Sequence, residues 1–244
     1  MHGYLNSAQV QGLQEKGFRV AVFNPRGVGI PQRTPHLYDH SNVSNDLQSI
    51  IQSISESYNN SNVYIVGFSM GASLGLKRLT DSNTPSNVKG MVSIANPFDV
   101  YQAAASLNSW SNRIYGIFLT RKLIDKVKFN QRAIEMKLDQ NGDRIDFEKL
   151  KKCKTTFEYD REFTFKIIDN FKNSEEYYKG FSCKDSIKKI DNNKIISVLT
   201  PKGGHVEFFT GFNAKRVFLL VERGGDGRIP IGTREFKYEI NNSI

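Results

Sequence analysis

The feature that most constrains this chain is the pentapeptide Gly67-Phe68-Ser69-Met70-Gly71, which directly follows the apolar run Val63-Tyr64-Ile65-Val66. A G-x-S-x-G sequence between a strand and a helix is typical of a sharp turn that presents the serine hydroxyl at the edge of a sheet. We expect a strained backbone at Ser69, and a Cβ atom at Gly67 or Gly71 should collide with the neighbouring strand or helix. The alternative is an ordinary strand-to-helix turn that happens to contain a serine.

The composition indicates a folded protein with a sizeable core. Apolar residues make up 39% of the 244 residues, including 17 Phe and 10 Tyr. No run approaches the ~18 consecutive apolar residues of a membrane-spanning helix, and no secretory signal is recognisable, so we expect a protein that is cytoplasmic or peripheral to a membrane. Cys153 and Cys183 lie far apart without CxxC spacing, which favours free thiols. No cluster of metal ligands occurs, so neither a metal nor an organic cofactor is expected.

The net charge of +9 would suit an anionic partner, but its distribution argues against a nucleic-acid-binding module. The basic residues are diffuse, and they alternate with acidic and apolar residues as on solvated helix faces. Aromatic residues are not interleaved with a basic stripe, as single-strand binders require. Nucleic acid is therefore not expected as a partner, while weak attraction to an anionic membrane is a secondary expectation.

Strands that alternate with helices in the first hundred residues predict a mainly parallel sheet, covered on both faces by helices. Asp46 would lie in the first turn of the second helix. The predicted elements are a helix over 6–16 ended by Gly17, a buried strand over Phe18–Phe23, a helix over 42–57, a strand over 62–66, a helix to about residue 79 and a strand over 88–95.

The pattern changes after residue 100, where about ninety residues become helical, aromatic and charged. This pattern predicts a helical cap inserted at about 100–190 into one domain that spans 1–222. Strand character returns at 194–199. The run Val217–Val221 favours a closing helix, although its β-branched residues leave a strand open. The polar segment 223–244 is predicted to be a loosely attached tail.

A serine hydroxyl needs a general base within hydrogen-bonding reach and donors where negative charge develops. Of the four histidines, His205 lies in the loop Gly203-Gly204-His205 after a late strand, so its ring could reach the sheet edge near Ser69; the alternative is a surface-loop histidine. His36 and His40 are interpreted as structural. Candidate oxyanion donors are the backbone N–H of Met70, which follows the serine, and that of Tyr4 or Gly3.

Several motifs follow one another in a recognisable order along roughly residues 2–220. They are His2-Gly3, 23–29, 34–38, Asn45-Asp46-Leu47, the Ser69 pentapeptide, 95–99, Tyr177-Tyr178 and Gly203-Gly204-His205. In this order they resemble the YheT-like (abhydrolase-domain) branch of the α/β-hydrolases. The resemblance implies a serine esterase or lipase fold with Ser69 as nucleophile and His205 as base, acting on short-chain esters, acylglycerols or phospholipids, often at a membrane.

The chain departs from this family pattern in two places. The family's first three strands have no match, so we expect an incomplete sheet. The Asp-Asp-Pro motif that carries the triad acid is also missing, which leaves Asp191 and Asp99 as weak candidates for the acid. Replacing that acid by its amide in a serine protease lowers turnover by about 10⁴.

The sequence therefore predicts a serine ester hydrolase of the carboxylesterase, acylglycerol lipase or phospholipase type, with a small ester or lipid as substrate. The alternative is a hydrolase-like protein that is catalytically weak or inactive because the chain is shortened. The acyl chain, the head group and the oligomeric state are left open.

Overall fold

The protein is described by a computed structural model over residues 7–31, 40–141, 145–167, 174–190, 209–210 and 216–217. The described part is rich in helices. Its helices are α1 (Ser7–Glu15), α2 (His40–Ser57), α3 (Met70–Leu79), α4 (Val100–Leu107), α5 (Arg113–Phe129), α6 (Gln131–Asn141), α7 (Phe147–Lys152), α8 (Thr156–Tyr159), α9 (Phe165–Ile167), α10 (Ser174–Phe181) and α11 (Lys184–Ile187), with a 3₁₀ turn at Trp110–Asn112 and a π-helical turn at Asp160–Thr164.

The central sheet of the described residues has two parallel strands, β1 (Val63–Phe68) and β2 (Val88–Ile94). The chain passes from β1 to β2 through α3. Such a helical connection is long enough to return the chain to the start of a parallel strand. Their register places Phe68 opposite Ile94, so both strands end at the same edge. This confirms both predicted strands and their parallel arrangement.

Helix α3 packs against one face of the sheet, where Ile65 and Met91 approach Gly75. Tyr64 precedes Ile65, so its side chain points to the other face, and it is 41% exposed. Helix α3 thus provides the predicted helical cover on its face of the sheet.

The first two helices agree with the sequence prediction, apart from one detail. Gly17 ends α1 with a φ of 83°, which only glycine adopts without strain, and the amide of Phe18 donates back to the Leu13 carbonyl. Helix α2 begins at His40, so Asp46 lies in its second turn rather than in its first. There the Asp46 carboxylate accepts two hydrogen bonds from the Arg26 guanidinium, one of them 2.7 Å long, and ties α2 to the preceding loop.

The predicted buried strand at Phe18–Phe23 is wrong. These residues form no strand in the structure, and Val22 is 45% exposed. Phe18 contacts Tyr64 of β1 through the edge of its ring, with the centroids 6.5 Å apart. A Val-rich segment becomes a strand only when a neighbour supplies a hydrogen-bonding ladder, and among the described residues β1 pairs with β2 alone.

Most described residues between 100 and 190 are helical, as predicted, and none of them forms a strand. These helices hold a cluster of buried apolar residues. Members of this cluster include Ile124 and Val127 of α5, Ile134 and Leu138 of α6, Leu150 of α7, and Tyr159 and Ile167 around the π-helical turn. The helical segment therefore has a core of its own, apart from the sheet.

Two features concern the ends of the described region. Val217 lies in a two-residue strand, β4 (Arg216–Val217), antiparallel to β3 (Phe209–Thr210). The strand alternative is thus correct at Val217, and residues 218–221 lie outside the described residues, as does the predicted strand at 194–199.

No helix in the described ranges is long and apolar enough to cross a bilayer.

Candidate active site

The Ser69 turn, residues Gly67–Gly71, joins the end of β1 directly to the start of α3. Ser69 has φ 50° and ψ −121°, a conformation that costs a non-glycine residue free energy. The strain expected from the sequence is therefore present at this residue. The turn places Ser69 at the carboxyl edge of the parallel strands and immediately before a helix.

The two glycines of the turn differ in the space around them. A Cβ atom on Gly67 would lie 2.6 Å from the Gly71 carbonyl oxygen and 2.7 Å from the Ala72 Cα, which are both backbone atoms. This confirms the predicted collision at Gly67. At Gly71 a Cβ would meet nothing within 4 Å outside its own helix, so the predicted collision there is wrong. Only Gly67 is in tight contact, because the backbone of the first turn of α3 lies against it. Gly71 is itself the second residue of that helix.

The Ser69 turn is tied to the end of β2. The amide of Ser69 donates to the Ile94 carbonyl at 2.9 Å, which extends the parallel ladder by one step. Ala95, the residue that follows β2, also has a positive φ, of 49°. Two strained non-glycine residues therefore lie next to each other, one at the end of each strand.

The amino end of helix α3, with its backbone N–H groups, lies at this edge of the sheet. Met70 is its first residue, and the backbone N–H groups of the first helical turn have no acceptor within the helix. The carbonyl of Ser69 accepts instead from the amides of Ala72 and Ser73, at 2.9 and 3.2 Å. The amino end of α3, with its partial positive charge, therefore lies next to Ser69 at this edge of the sheet.

Asp99 has a structural role in the described residues. Its carboxylate accepts from the backbone amide of Gln102 and so caps α4, and it accepts from the Lys184 ammonium at 2.7 Å. The hydrogen bond from Lys184, followed by that from Gln102, lowers the pKa of the Asp99 carboxyl. These two interactions account for an acidic residue at this position.

A clamp between loop 96–100 and residues 182–184 was not predicted from the sequence. The amides of Cys183 and Lys184 both donate to the Phe98 carbonyl, and the Cys183 thiol donates to Asn96 Oδ1 at 3.3 Å. Cys153 and Cys183 are both free thiols, as predicted, and both are buried. The clamp brings the end of the helical segment to the loop that follows β2, one residue beyond the strained Ala95.

A buried carboxylate lies in the π-helical turn of the helical segment. Asp160 accepts hydrogen bonds from the hydroxyls of Thr164 and Tyr178, both at 2.7 Å. Burial raises the pKa of the Asp160 carboxyl, against the opposing effect of these two hydrogen bonds. The rings of Tyr101 and Phe157 pack on Tyr178 at 5.6 and 5.9 Å. The sequence singled out Tyr178 but gave no signal for Asp160.

Four of the predicted site residues lie outside the described residues: Tyr4, Gly3, Asp191 and His205. The structure therefore locates Ser69, Met70 and Asp99 and leaves the base and the second oxyanion donor as predictions. His36 also lies outside the described part of the chain, and His40 is the first residue of α2.

Away from the Ser69 turn, the described residues form a further depression. An open, mainly polar depression, lined by residues such as Gln52, Asn83 and Asn87, lies at the amino ends of β1 and β2, opposite to the Ser69 edge. Within the described ranges, no three His, Cys, Asp or Glu side chains come together in a way that could hold a metal ion.

A parallel strand pair with a strained serine between the first strand and its helix is the arrangement of the alpha/beta hydrolases. The family of the alpha/beta hydrolase fold matches residues 1–214, and the chain belongs to this family. The fold predicted from the sequence is thereby confirmed.

Some of the relatives that the chain resembles are named as lipid enzymes. The chain is 31% identical to a monoacylglycerol lipase of Saccharomyces cerevisiae over 177 residues, which are 71% of this chain and 38% of the relative. It is 26% identical to protein abhd-3.2 of Caenorhabditis elegans over 74% of this chain and 46% of the relative. It is also 26% identical to phospholipase ABHD3 of Bos taurus, over 81% of this chain and 53% of the relative. The chain thus spans about half the length, or less, of the curated relatives it matches, and no solved structure matches it.

Proposed function

We propose that the chain is a serine ester hydrolase of the YheT-like branch of the alpha/beta hydrolases, with Ser69 as its nucleophile. The observation that carries the proposal is the strained backbone of Ser69, with φ 50°, at the junction of β1 and α3. Backbone strain of this size persists only where the surrounding structure enforces it, and it is concentrated at functional sites. Here Gly67 and the Ile94 carbonyl are the enforcing contacts.

In the proposed mechanism, Ser69 Oγ attacks the carbonyl carbon of the ester while a ring nitrogen of His205 takes the hydroxyl proton. The backbone N–H of Met70, together with that of Tyr4 or Gly3, donates to the oxyanion that develops. His205 then gives the proton to the leaving alcohol. Water hydrolyses the acyl-enzyme with His205 again as base. Asp191 and Asp99 remain the two candidates for the acid that orients the ring.

The substrate class we propose is a carboxylic ester of a lipid, either an acylglycerol or a phospholipid. The names of the yeast and bovine relatives support this class. In this proposal residues 1–222 form the hydrolase domain, the helical segment at about 100–190 caps the acyl group, and 223–244 form a tail. The aromatic rings around Tyr178 would supply apolar surface to such a cap.

Labelling with a fluorophosphonate probe tests the nucleophile, because a serine activated by a histidine displaces the fluoride and forms a stable phosphonyl ester. We expect labelling of the parent chain, loss of labelling in Ser69→Ala, and unchanged labelling in Ser111→Ala, which alters an exposed serine of the 3₁₀ turn. His205→Ala should also lose labelling, while His36→Ala should keep it. Labelling that persists in Ser69→Ala would refute the assignment.

A second candidate is a hydrolase-like protein with weak or no catalysis. It is favoured by the small sheet of the described residues, with two parallel strands, and by the engagement of the Asp99 carboxylate with Gln102 and Lys184. Turnover of a monoacylglycerol separates the two functions. A folded parent chain that neither labels nor releases fatty acid above the level of Ser69→Ala would establish this second candidate.

A further inference from the structure

One side of α5 exposes apolar residues that the core does not use. The buried stripe of this helix consists of Gly116, Thr120, Ile124 and Val127, which repeat at intervals of three and four residues. The opposite side begins in the preceding 3₁₀ turn. Its apolar residues are Trp110 (91% exposed), Ile114 (84%), Tyr115 (71%) and Phe118 (47%).

Cations surround these apolar residues. Arg121, Lys122 and Lys128 are exposed, and Asp125, which pairs with Lys128 at 4.0 Å, is the one exposed acid of α5. Because residues four apart lie on one stripe of a helix, Ile114, Phe118 and Lys122 form a continuous row. The Lys122 ammonium lies 5.5 Å from the centroid of the Phe118 ring. We call the four apolar and three basic side chains the outer face of α5.

This combination fits the interface of a lipid bilayer. Helices that lie at such an interface bury Trp, Phe and Leu or Ile to the depth of the head groups, while Lys and Arg contact anionic lipids. A large exposed apolar surface is uncommon on a protein that has no partner for it. The charge of the whole chain, +9, has the same sign as the outer face and adds to the attraction.

A second copy of the chain fits less well. In a symmetric dimer the same surface meets itself. The three cations of the outer face would then approach three others, with Asp125 as the one exposed acid of the helix to offset them. Charge complementarity therefore selects an anionic surface over a second copy.

We propose that the outer face of α5 docks the protein on the surface of an anionic phospholipid bilayer, with Trp110 and Ile114 inserted among the head groups. This docking does not depend on the chemistry of Ser69. It would place the helical segment, and with it the carboxyl edge of β2 through the clamp at Phe98, close to lipid.

Vesicle flotation tests the proposal in the Ser69→Ala background, in which lipid hydrolysis cannot disturb the vesicles. We expect the chain to float with vesicles of phosphatidylcholine and phosphatidylserine and to bind phosphatidylcholine alone much more weakly. The double variant Trp110→Ser, Ile114→Ser should bind at least about tenfold more weakly. The double variant Arg121→Gln, Lys122→Gln should lose about fivefold for each cation, and added salt should reduce the loss.

Matched controls alter the same residue types outside the outer face. Ile30→Ser removes an apolar side chain that is 75% exposed, and Lys89→Gln removes an exposed cation of β2, so neither should change flotation. All substituted side chains are exposed, so circular dichroism should stay constant. Equal flotation of the parent and both double variants would overturn the proposal.

If instead the chain without vesicles self-associates and the Trp110→Ser, Ile114→Ser variant is monomeric, the outer face contacts a second copy and the proposal is also wrong. Fluorophosphonate labelling of the unsubstituted chain without lipid is independent of these outcomes, so a failure of docking and a failure of the proposed function can be told apart.

Discussion

Two glycines flank Ser69, and the space around each of them predicts a different response to substitution. Gly67→Ala should destabilise the protein by about 1–3 kcal/mol, because the new Cβ would press on the backbone of Gly71 and Ala72. It should also lower fluorophosphonate labelling, because relief of the clash moves the Ser69 turn. Gly71→Ala should unfold at the same urea concentration as the parent or at a slightly higher one, since alanine is the better helix former.

Urea unfolding followed by circular dichroism measures both variants. The matched pair separates a local collision from a general intolerance of side chains in the turn. Equal losses of stability in the two variants would show that the space at Gly71 is needed after all.

A second residue-scale prediction concerns the buried carboxyl of Asp160. Its pKa is raised by burial, so the folded state disfavours the charged form. Below the ordinary carboxyl pKa of about 4 the group is neutral in both states and has no effect on stability. As the pH rises from there to the raised pKa, the folded state loses stability relative to the unfolded state. The Asp160→Asn variant, which is always neutral, should escape this loss.

Urea unfolding of the parent and Asp160→Asn between acidic and neutral pH measures the effect. We expect similar stability at the acidic end and a growing advantage for Asp160→Asn toward neutral pH. Asp185→Asn is the control, because Lys188 lowers the pKa of this exposed carboxyl and its removal should give no such advantage. Parallel pH profiles for the parent and Asp160→Asn would contradict the prediction.

At the scale of elements, the amino end of α4 gives a test of Asp99. Asparagine caps helices about as well as aspartate, whereas alanine does not. Asp99→Asn should therefore lose only the exposed ion pair with Lys184, which contributes little, and Asp99→Ala should lose a further ~1 kcal/mol. If Asp99 is only a cap, ester hydrolysis by Asp99→Asn should stay within a few-fold of the parent.

Hydrolysis of a soluble ester, measured beside urea unfolding, distinguishes the cap from a catalytic acid. A fall of about 10⁴ in turnover for Asp99→Asn, with stability preserved, would show that Asp99 orients the base. Asp191→Asn, assayed in parallel, tests the other candidate. An unchanged turnover in both would mean that neither of these carboxylates supports His205.

Local sequence predicted the elements around Ser69 because their signals are local. The apolar run before Gly67 and the helical spacing after Met70 need no distant partner, and the strand and the helix lie within a few residues of their predicted bounds. The segment Phe18–Phe23 failed for the opposite reason, since a strand depends on a neighbour that the segment itself does not encode.

The contacts that link elements were not predictable in the same way. Asp160 meets Tyr178 across 18 positions, and Cys183 meets Asn96 across 87, so no spacing rule relates them. The positive φ of Ala95 could not be predicted from the sequence either, because alanine has no preference for that conformation. The Ser69 turn was predictable because the spacing of its two glycines around the serine indicates a strained turn.

At the scale of the whole molecule, the helical segment and the sheet meet at α3. The Ser73 hydroxyl donates to the Phe181 carbonyl at 3.0 Å, and both residues are almost fully buried. Lys77 of the same helix donates to the Gly180 carbonyl, and burial lowers the pKa of this lysine. Helix α3 therefore carries the Ser69 turn at one end and holds α10 along its length.

This arrangement predicts that the sheet and the helical segment unfold together. Ser73→Ala removes a donor from a buried carbonyl and should cost about 1–3 kcal/mol. If α3 couples the two parts, amide hydrogen exchange should accelerate by a similar factor in β1 and in α5, which are on opposite sides of the contact. Mass spectrometry of peptides over 63–68 and 113–129 measures both, with Ser111→Ala as the exposed control. Acceleration confined to 174–190 would show that α10 detaches alone, because the core around Ile124 and Leu150 then sustains the helical segment without the sheet.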